Sequence, residues 1–175
     1  MNERRRRTIL RRARALLQDH QVTAPPVPVE RIARGLSVQL RFSPLDQELS
    51  GMVYVKDGTP IIGVNAIHHP NRQRFTIAHE CGHLILHRDR VSKEVHVDKA
   101  FPMLMRDAVS AAGVDAMEIE ANLFAAELLM PESLLTEALG NAPFDIDDDA
   151  TVSALARRFR VSLSAMQFRL GYLFA

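Results

Sequence analysis

Apolar residues recur every three or four positions over long stretches of this chain, which is the spacing of one helix face. The first such stretch is 2–19, where Ile9, Ala13 and Leu17 share one face and arginines fill the other. The same spacing predicts helices at 29–35, 71–87, 115–130, 131–139, 151–159 and 162–172. The 71–87 helix is apolar around much of its girth, which is typical of a buried central helix.

Three shorter stretches are bounded by turn residues and predict strands at 37–42, 51–55 and 60–64. Between the last two lies Asp57-Gly58, a pair that strongly favours a hairpin turn. Residues 88–112 follow no clear pattern and are predicted to be irregular. The pattern therefore predicts an α+β fold that is mostly helical and has a small three-stranded sheet.

Composition narrows the class of protein. The chain has 175 residues, 47% hydrophobic and 25% charged, which is usual for one soluble globular domain. No apolar run approaches the roughly 20 residues that cross a bilayer, so an integral membrane protein is not expected. Cys81 is the only cysteine, which excludes an intrachain disulfide and favours a reducing, cytoplasmic location.

Charge is uneven along the chain although its net value is +1. Residues 1–20 hold seven arginines against Glu3 and Asp19, a balance of +5. No apolar segment of the length found in signal peptides follows this cluster, so an export signal is not expected. A solvated helix face is the simpler interpretation of the arginines, and a nucleic-acid-binding arm is the alternative.

The motif His79-Glu80-Cys81-Gly82-His83 has the pattern H-E-x-x-H and lies within the predicted 71–87 helix. Residues four apart on a helix lie on one face, so both imidazoles can reach the same metal ion. Glu80 stands beside the first ligand, where it can act as the general base on a metal-activated water. The predicted chemistry is zinc-dependent hydrolysis of a peptide bond, with Glu80 as the catalytic residue. Two solvated helix histidines are the alternative.

A catalytic zinc ion usually has three protein ligands and one open position. Glu118 is the favoured third ligand because it shares a helix face with apolar residues, where a buried carboxylate needs a partner. Glu120 is the next candidate, although it shares a face with Glu127 that is predicted to face solvent. His96 is a further candidate within the irregular stretch. Asn122, one turn after Glu118, is placed to hydrogen-bond a ligand histidine.

Two separated blocks of this sequence resemble the ImmA/IrrE metallopeptidases. The first is 72–83, which includes the H-E-x-x-H motif, and the second is 118–131. The segment from Pro25 through Ser50-Gly51-Met52 and Asn65 is similar in order and spacing, so the resemblance covers roughly residues 10–140. The gap between His83 and Glu118 is longer than in some members.

The resemblance implies a thermolysin-like (gluzincin) zinc peptidase fold. It implies that His79, His83 and Glu118 bind Zn²⁺, with Mn²⁺ as an alternative metal, and that Glu80 is the base. It also implies a protein substrate, a DNA-binding Xre-type repressor or an antitoxin. The proposed peptidase domain is 1–140, with the arginine-rich helix at 1–20.

The remaining segment, 141–175, is predicted to form two short helices packed on the peptidase domain. These helices resemble a helix-turn-helix, and Arg157, Arg158, Arg160 and Arg169 could contact phosphates. The acidic loop 145–149 directly before them would repel DNA, so DNA binding is not favoured. The rival function is a regulator that binds DNA or protein and holds a structural metal. Residues 50–55 are predicted to be an edge strand to which a substrate strand could add.

Overall fold

The computed structural model describes residues 1–93, 95–99, 116–140 and 148–174, and it has an α+β architecture. Residues 145–147 of the predicted acidic loop and most of the stretch 88–112 lie outside the described residues. The described elements are α1 (Glu3–Asp19), α2 (Val29–Gly35), β1 (Gln39–Ser43), β2 (Leu49–Lys56), β3 (Thr59–Asn65), α3 (Pro70–Leu86), α4 (Arg88–Val91), β4 (His96–Lys99), α5 (Ala116–Leu129), α6 (Glu132–Leu139), α7 (Asp149–Phe159) and α8 (Leu163–Phe174).

The described strands form one mixed sheet in the order β1-β3-β2-β4. β1 runs parallel to β3, whereas β2 is antiparallel to both β3 and β4. Asp57 and Gly58 connect β2 to β3 with φ angles of 51° and 78°. Positive φ at both central positions is the requirement of a type I′ hairpin turn, so the predicted hairpin is confirmed.

The fourth strand, β4, corrects two predictions. The sheet has four described strands rather than three, and β2 lies between β3 and β4 rather than at an edge. β4 has four residues, and Val97, which points outward, is 43% exposed. Such a short strand has no alternation of buried and exposed residues, so its sequence did not predict it.

Helix α3 is the central element of the fold. It packs between the sheet and α5, and every residue from Arg74 to Leu84 is buried. Gly82 allows the close approach of α5, because a Cβ at this position would lie 3.2 Å from the Cα of Ala121. Helix α3 begins at Pro70, where the His69 ring accepts a hydrogen bond from the backbone N–H of Asn71.

Helix α1 packs on α5 and buries Ile9, Ala13 and Leu17. Its arginines do more than face solvent, because Arg5 and Arg14 form ion pairs with glutamates of α5. Within the described residues, no helix combines the length and apolar character that a membrane crossing requires.

Helices α7 and α8 bury their apolar faces in the same core as the preceding elements. Arg160 ends α7 in the left-handed conformation, with φ 55° and ψ 51°. Arg157, Arg158 and Arg160 are exposed, as a phosphate contact would require. The prediction for Arg169 was wrong, because this residue is only 2% exposed and pairs with Glu127.

Candidate metal centre

Helix α3 brings His79 and His83 to the same point, as their spacing of four residues predicts. Their Nε2 atoms lie 3.0 Å apart, and both residues are almost completely buried. At this separation, both ring nitrogens can coordinate the same cation. The first turn of α5 adds Glu118 from the other side.

The Glu118 carboxylate lies against both histidines. Oε2 is 3.2 Å from Nε2 of His79, and Oε1 is 3.2 Å from Nε2 of His83. His96 on β4 adds a further nitrogen, its Nε2 lying 3.2 Å from Glu118 Oε1. The four residues each offer one donor atom, and these atoms lie within 4.8 Å of one another.

This donor set fits a zinc ion. Zinc–nitrogen and zinc–oxygen bonds of about 2.0–2.1 Å at tetrahedral angles place neighbouring donors about 3.3 Å apart. Four separations between donor atoms in the cluster are 3.0 to 3.2 Å. Imidazole nitrogens together with one carboxylate also suit zinc better than magnesium or calcium, which prefer oxygen ligands.

Electrostatics prepare these residues for a cation. Burial lowers the pKa of His83 to about 4, so its ring is neutral near pH 7. Burial alone would raise the pKa of Glu118, but hydrogen bonds from His79, His83 and His96 hold that pKa well below its ordinary value. Neutral imidazoles and an ionised carboxylate are the protonation states in which these groups bind metals.

Glu80 follows His79 on α3 and is fully buried. Its carboxylate faces β2, because a Cβ at Gly51 would lie 3.6 Å from Glu80 Oε1. The same Cβ would lie 2.4 Å from Cγ2 of Thr76, so this part of β2 can approach α3 only without a side chain. Cys81 is buried and lies outside the donor group.

Both histidines of α3 are held from behind. Nδ1 of His79 lies 2.9 Å from Oδ1 of Asn122, which is the contact that the sequence predicted for this asparagine. Nδ1 of His83 lies 3.2 Å from Nδ1 of His87. Each contact leaves the Nε2 atom of the histidine facing the cluster.

Glu120 does not join the donor group. Its carboxylate binds Arg5 of α1 and Nε2 of His87, and its side chain is only 14% exposed. Glu127 is buried as well, at 1% exposed. The predicted solvent-facing side of α5 was therefore wrong, because arginines from distant parts of the chain cover it.

Sequence reasoning missed two residues near the centre, His87 and Arg5. The structure places His87 outside the four-residue donor group. Its spacing of four from His83 was a usable signal of contact, since such pairs are neighbours on a helix. Arg5 gave no signal, because its partner is 115 positions away.

Comparisons with known proteins identify the family of this chain. A curated relative, the radiation response metalloprotease IrrE of Deinococcus radiodurans, is 31% identical over 112 residues. That match covers 63% of this chain and 30% of the relative. A solved structure of a Mycobacterium tuberculosis transcriptional regulator superposes with a TM-score of 0.62 and 19% identity, over 97% of this chain and 48% of that one.

The chain thus spans less than half the length of either protein. The likeness to the regulator supports the fold alone. The family model for the IrrE N-terminal-like domain, named Peptidase_M78, matches residues 33–171, which include the motif on α3 and the first turn of α5. A match over most of the sequence confirms the resemblance to ImmA/IrrE proteins, and the chain belongs to the Peptidase_M78 family of IrrE N-terminal-like domains.

Proposed function

We propose that this chain is a zinc-dependent endopeptidase. In this proposal His79, His83 and Glu118 hold the metal, Asn122 orients His79, and Glu80 is the catalytic base. The observation that carries it is the convergence of imidazole and carboxylate donors at separations of 3.0 to 3.2 Å beside a buried glutamate. Mn²⁺ is the alternative metal.

A zinc ion bound there would polarise a carbonyl oxygen and lower the pKa of a water molecule. Glu80 would take the proton of the attacking water and then give it to the leaving amine as the peptide bond breaks. Asn122 accepts a hydrogen bond from Nδ1 of His79, which keeps the Nε2 lone pair of that ring directed at the metal.

The substrate in this proposal is an intracellular protein, either an Xre-type repressor or an antitoxin. The family resemblance supports this substrate class, whereas the name of the Deinococcus relative, a radiation response metalloprotease, supports only a protein substrate. Catalysis would lie in residues 1–140 of a cytoplasmic protein. Segment 141–175 would support that domain, with Arg169 of α8 bound to Glu127 of α5.

Two variants test the reaction. Glu80→Gln should retain zinc and lose cleavage, since the amide cannot accept the proton, whereas Glu137→Gln on the exposed side of α6 should retain both. Zinc content is measured by elemental analysis, and cleavage by mass spectrometry with purified Xre-type repressors and unfolded casein. Full cleavage by Glu80→Gln would refute the assigned base. Zinc-loaded wild type that cleaves none of these proteins would refute the proposed activity.

A second candidate function follows from His96. Four protein donors form a closed site of the structural type, which leaves no position for water or substrate. His96 also packs its ring on that of His83, with 3.9 Å between centroids. A centre closed in this way suits a regulator that binds DNA or protein and uses the metal only for stability.

His96→Ala separates the two functions. In a peptidase, three ligands remain and the fourth position opens, so zinc should be retained and cleavage should be equal to or faster than that of the wild type. In a structural site, zinc affinity should fall sharply and neither form should cleave protein. Val97→Ala on the same strand is the control for damage to β4.

A further inference from the structure

A line of hydrogen bonds runs from the back of His83 to the N-terminal helix. Nδ1 of His83 lies 3.2 Å from Nδ1 of His87, and Nε2 of His87 lies 2.9 Å from Oε2 of Glu120. Nε of Arg5 donates to Oε1 of Glu120 over 2.7 Å, and a second guanidinium nitrogen donates to Oε2. Three elements, α3, α5 and α1, are joined in this way.

The protons along this line have one consistent arrangement when His83 faces a metal. Its Nε2 must carry the lone pair, so its proton lies on Nδ1 and is donated to Nδ1 of His87. His87 therefore carries its own proton on Nε2, which it donates to Glu120. That carboxylate accepts from both sides, because Arg5 is a pure donor. Every contact then has one donor and one acceptor.

We propose that His87, Glu120 and Arg5 are positioning residues of the metal centre, which fix the tautomer and ring orientation of His83. This inference rests on the proposed role of His83 as a metal ligand. A histidine ligand whose second nitrogen donates toward a carboxylate is a better donor to its metal, and loss of such support typically costs about 10–100-fold in metal affinity.

The two histidines of α3 are then supported differently. His79 donates to Asn122, a neutral amide on α5, whereas His83 donates through His87 to a carboxylate fixed by an arginine. Two nitrogens of Arg5 hold the Glu120 carboxylate, one at each oxygen. The family match begins at residue 33, so Arg5 belongs to a part of the chain that the family model does not include.

An ordinary helix-packing ion pair is the alternative explanation of Arg5 and Glu120. The Arg5 side chain is 37% exposed, and such pairs often contribute little to stability. The two explanations predict effects on different properties of the protein. A packing pair affects the folding of α1 alone, whereas a positioning residue affects zinc affinity, and does so only when His87 is present.

The experiment measures zinc affinity of the full chain by competition with a chromophoric chelator. His87→Leu should lower the affinity about 10–100-fold, and Arg5→Ala and Glu120→Gln should each lower it several-fold. Arg7→Ala is the matched control, since Arg7 pairs with Glu3 within α1 and should leave affinity unchanged. Adding Arg5→Ala to His87→Leu should cause no further loss, because the connection is already broken.

Cobalt substitution gives an independent readout. The visible absorption of the Co²⁺ protein reports ligand geometry, and it should shift in His87→Leu and stay unchanged in Arg7→Ala. Wild-type zinc affinity in all the variants would overturn this inference while leaving the ligands in place. A wild type that binds no zinc would overturn the metal centre and this inference together. Zinc binding weakened as expected, in a protein that cleaves nothing, would support the inference and refute only the peptidase activity.

Discussion

Two carboxylates on the inner side of helix α5, Glu118 at 13% exposed and Glu127 at 1% exposed, have opposite surroundings. Glu118, at the beginning of the helix, is enclosed by the imidazoles of three histidines. Glu127, near its end, is bound by two guanidinium groups, from Arg14 and Arg169. The comparison shows what prepares a site for a metal. Arginines already neutralise Glu127, whereas imidazoles leave the negative charge of Glu118 to be balanced by a cation.

One end of α5 is therefore expected to determine metal affinity, and the other end to determine the stability of the fold. At the Glu118 end, imidazole nitrogens and carboxylate oxygens are available to coordinate a metal ion. The Glu127 end forms a closed set of two arginines and two glutamates, since Arg14 also binds Glu132 over 2.7 Å. Changes at one end should affect metal affinity, and changes at the other should affect folding.

The largest effect is expected for zinc affinity at the first end. Glu118→Gln preserves size but removes the charge and a strong ligand, so affinity should fall by more than the roughly 10–100-fold typical of supporting residues. Glu127→Gln should leave affinity unchanged. Chelator competition measures both. Zinc retained in Glu118→Gln would make His96 the third protein ligand. It would also contradict the assignment of metal binding to Glu118 on which the comparison with Glu127 depends.

The next effect concerns stability at the second end. Glu127→Leu leaves Arg169 buried without its partner, which should lower the free energy of unfolding by about 3–5 kcal/mol. Arg14→Ala should cost less than about 1 kcal/mol, because Arg14 is 47% exposed. Urea denaturation of the metal-free protein measures these changes.

The double variant Glu127→Leu/Arg169→Met provides the control for that experiment. Replacing both members of a buried pair by apolar residues is often neutral or stabilising, so it should recover most of the loss. If the double variant is as unstable as Glu127→Leu, the cost comes from packing rather than from an unpaired charge.

The smallest effect concerns another buried acidic group, the thiol of Cys81. Burial, and then the charge of Glu80, raises the pKa of Cys81 from 9.0 to about 12. The thiol form is therefore fully favoured below about pH 9, and this contribution to stability is lost as the pH rises toward 12. At about pH 8 the native protein should resist iodoacetamide, while the urea-unfolded protein should react. Rapid alkylation of the native protein would contradict the burial of α3.

Local features of this fold could be predicted from the sequence with good accuracy. Each of the three predicted strands is present within two residues of its predicted ends. The hairpin followed from Asp57-Gly58, because few residue pairs tolerate two positive φ angles. Glu118 was placed on the inner face of α5 by its apolar neighbours, and its side chain is 13% exposed.

Features that depend on distant partners could not be predicted in this way. Glu120 and Glu127 were assigned to solvent because charged residues usually remain there, and only the folded chain places Arg5 and Arg169 beside them. His96 joins the cluster through a four-residue strand that lacks a hydrophobic pattern. The roles of the metal-centre residues remain predictions that the experiments above test.

Gly82 has a consequence for the order of events when this protein folds. The two histidines of α3 are available to an ion as soon as that helix forms, but Glu118 belongs to another helix. It arrives only when α5 docks, and docking brings Ala121, one turn after Glu118, against Gly82. A high-affinity centre with this ligand set therefore cannot exist before the helices meet, so an ion would be bound late and would then stabilise the docked pair.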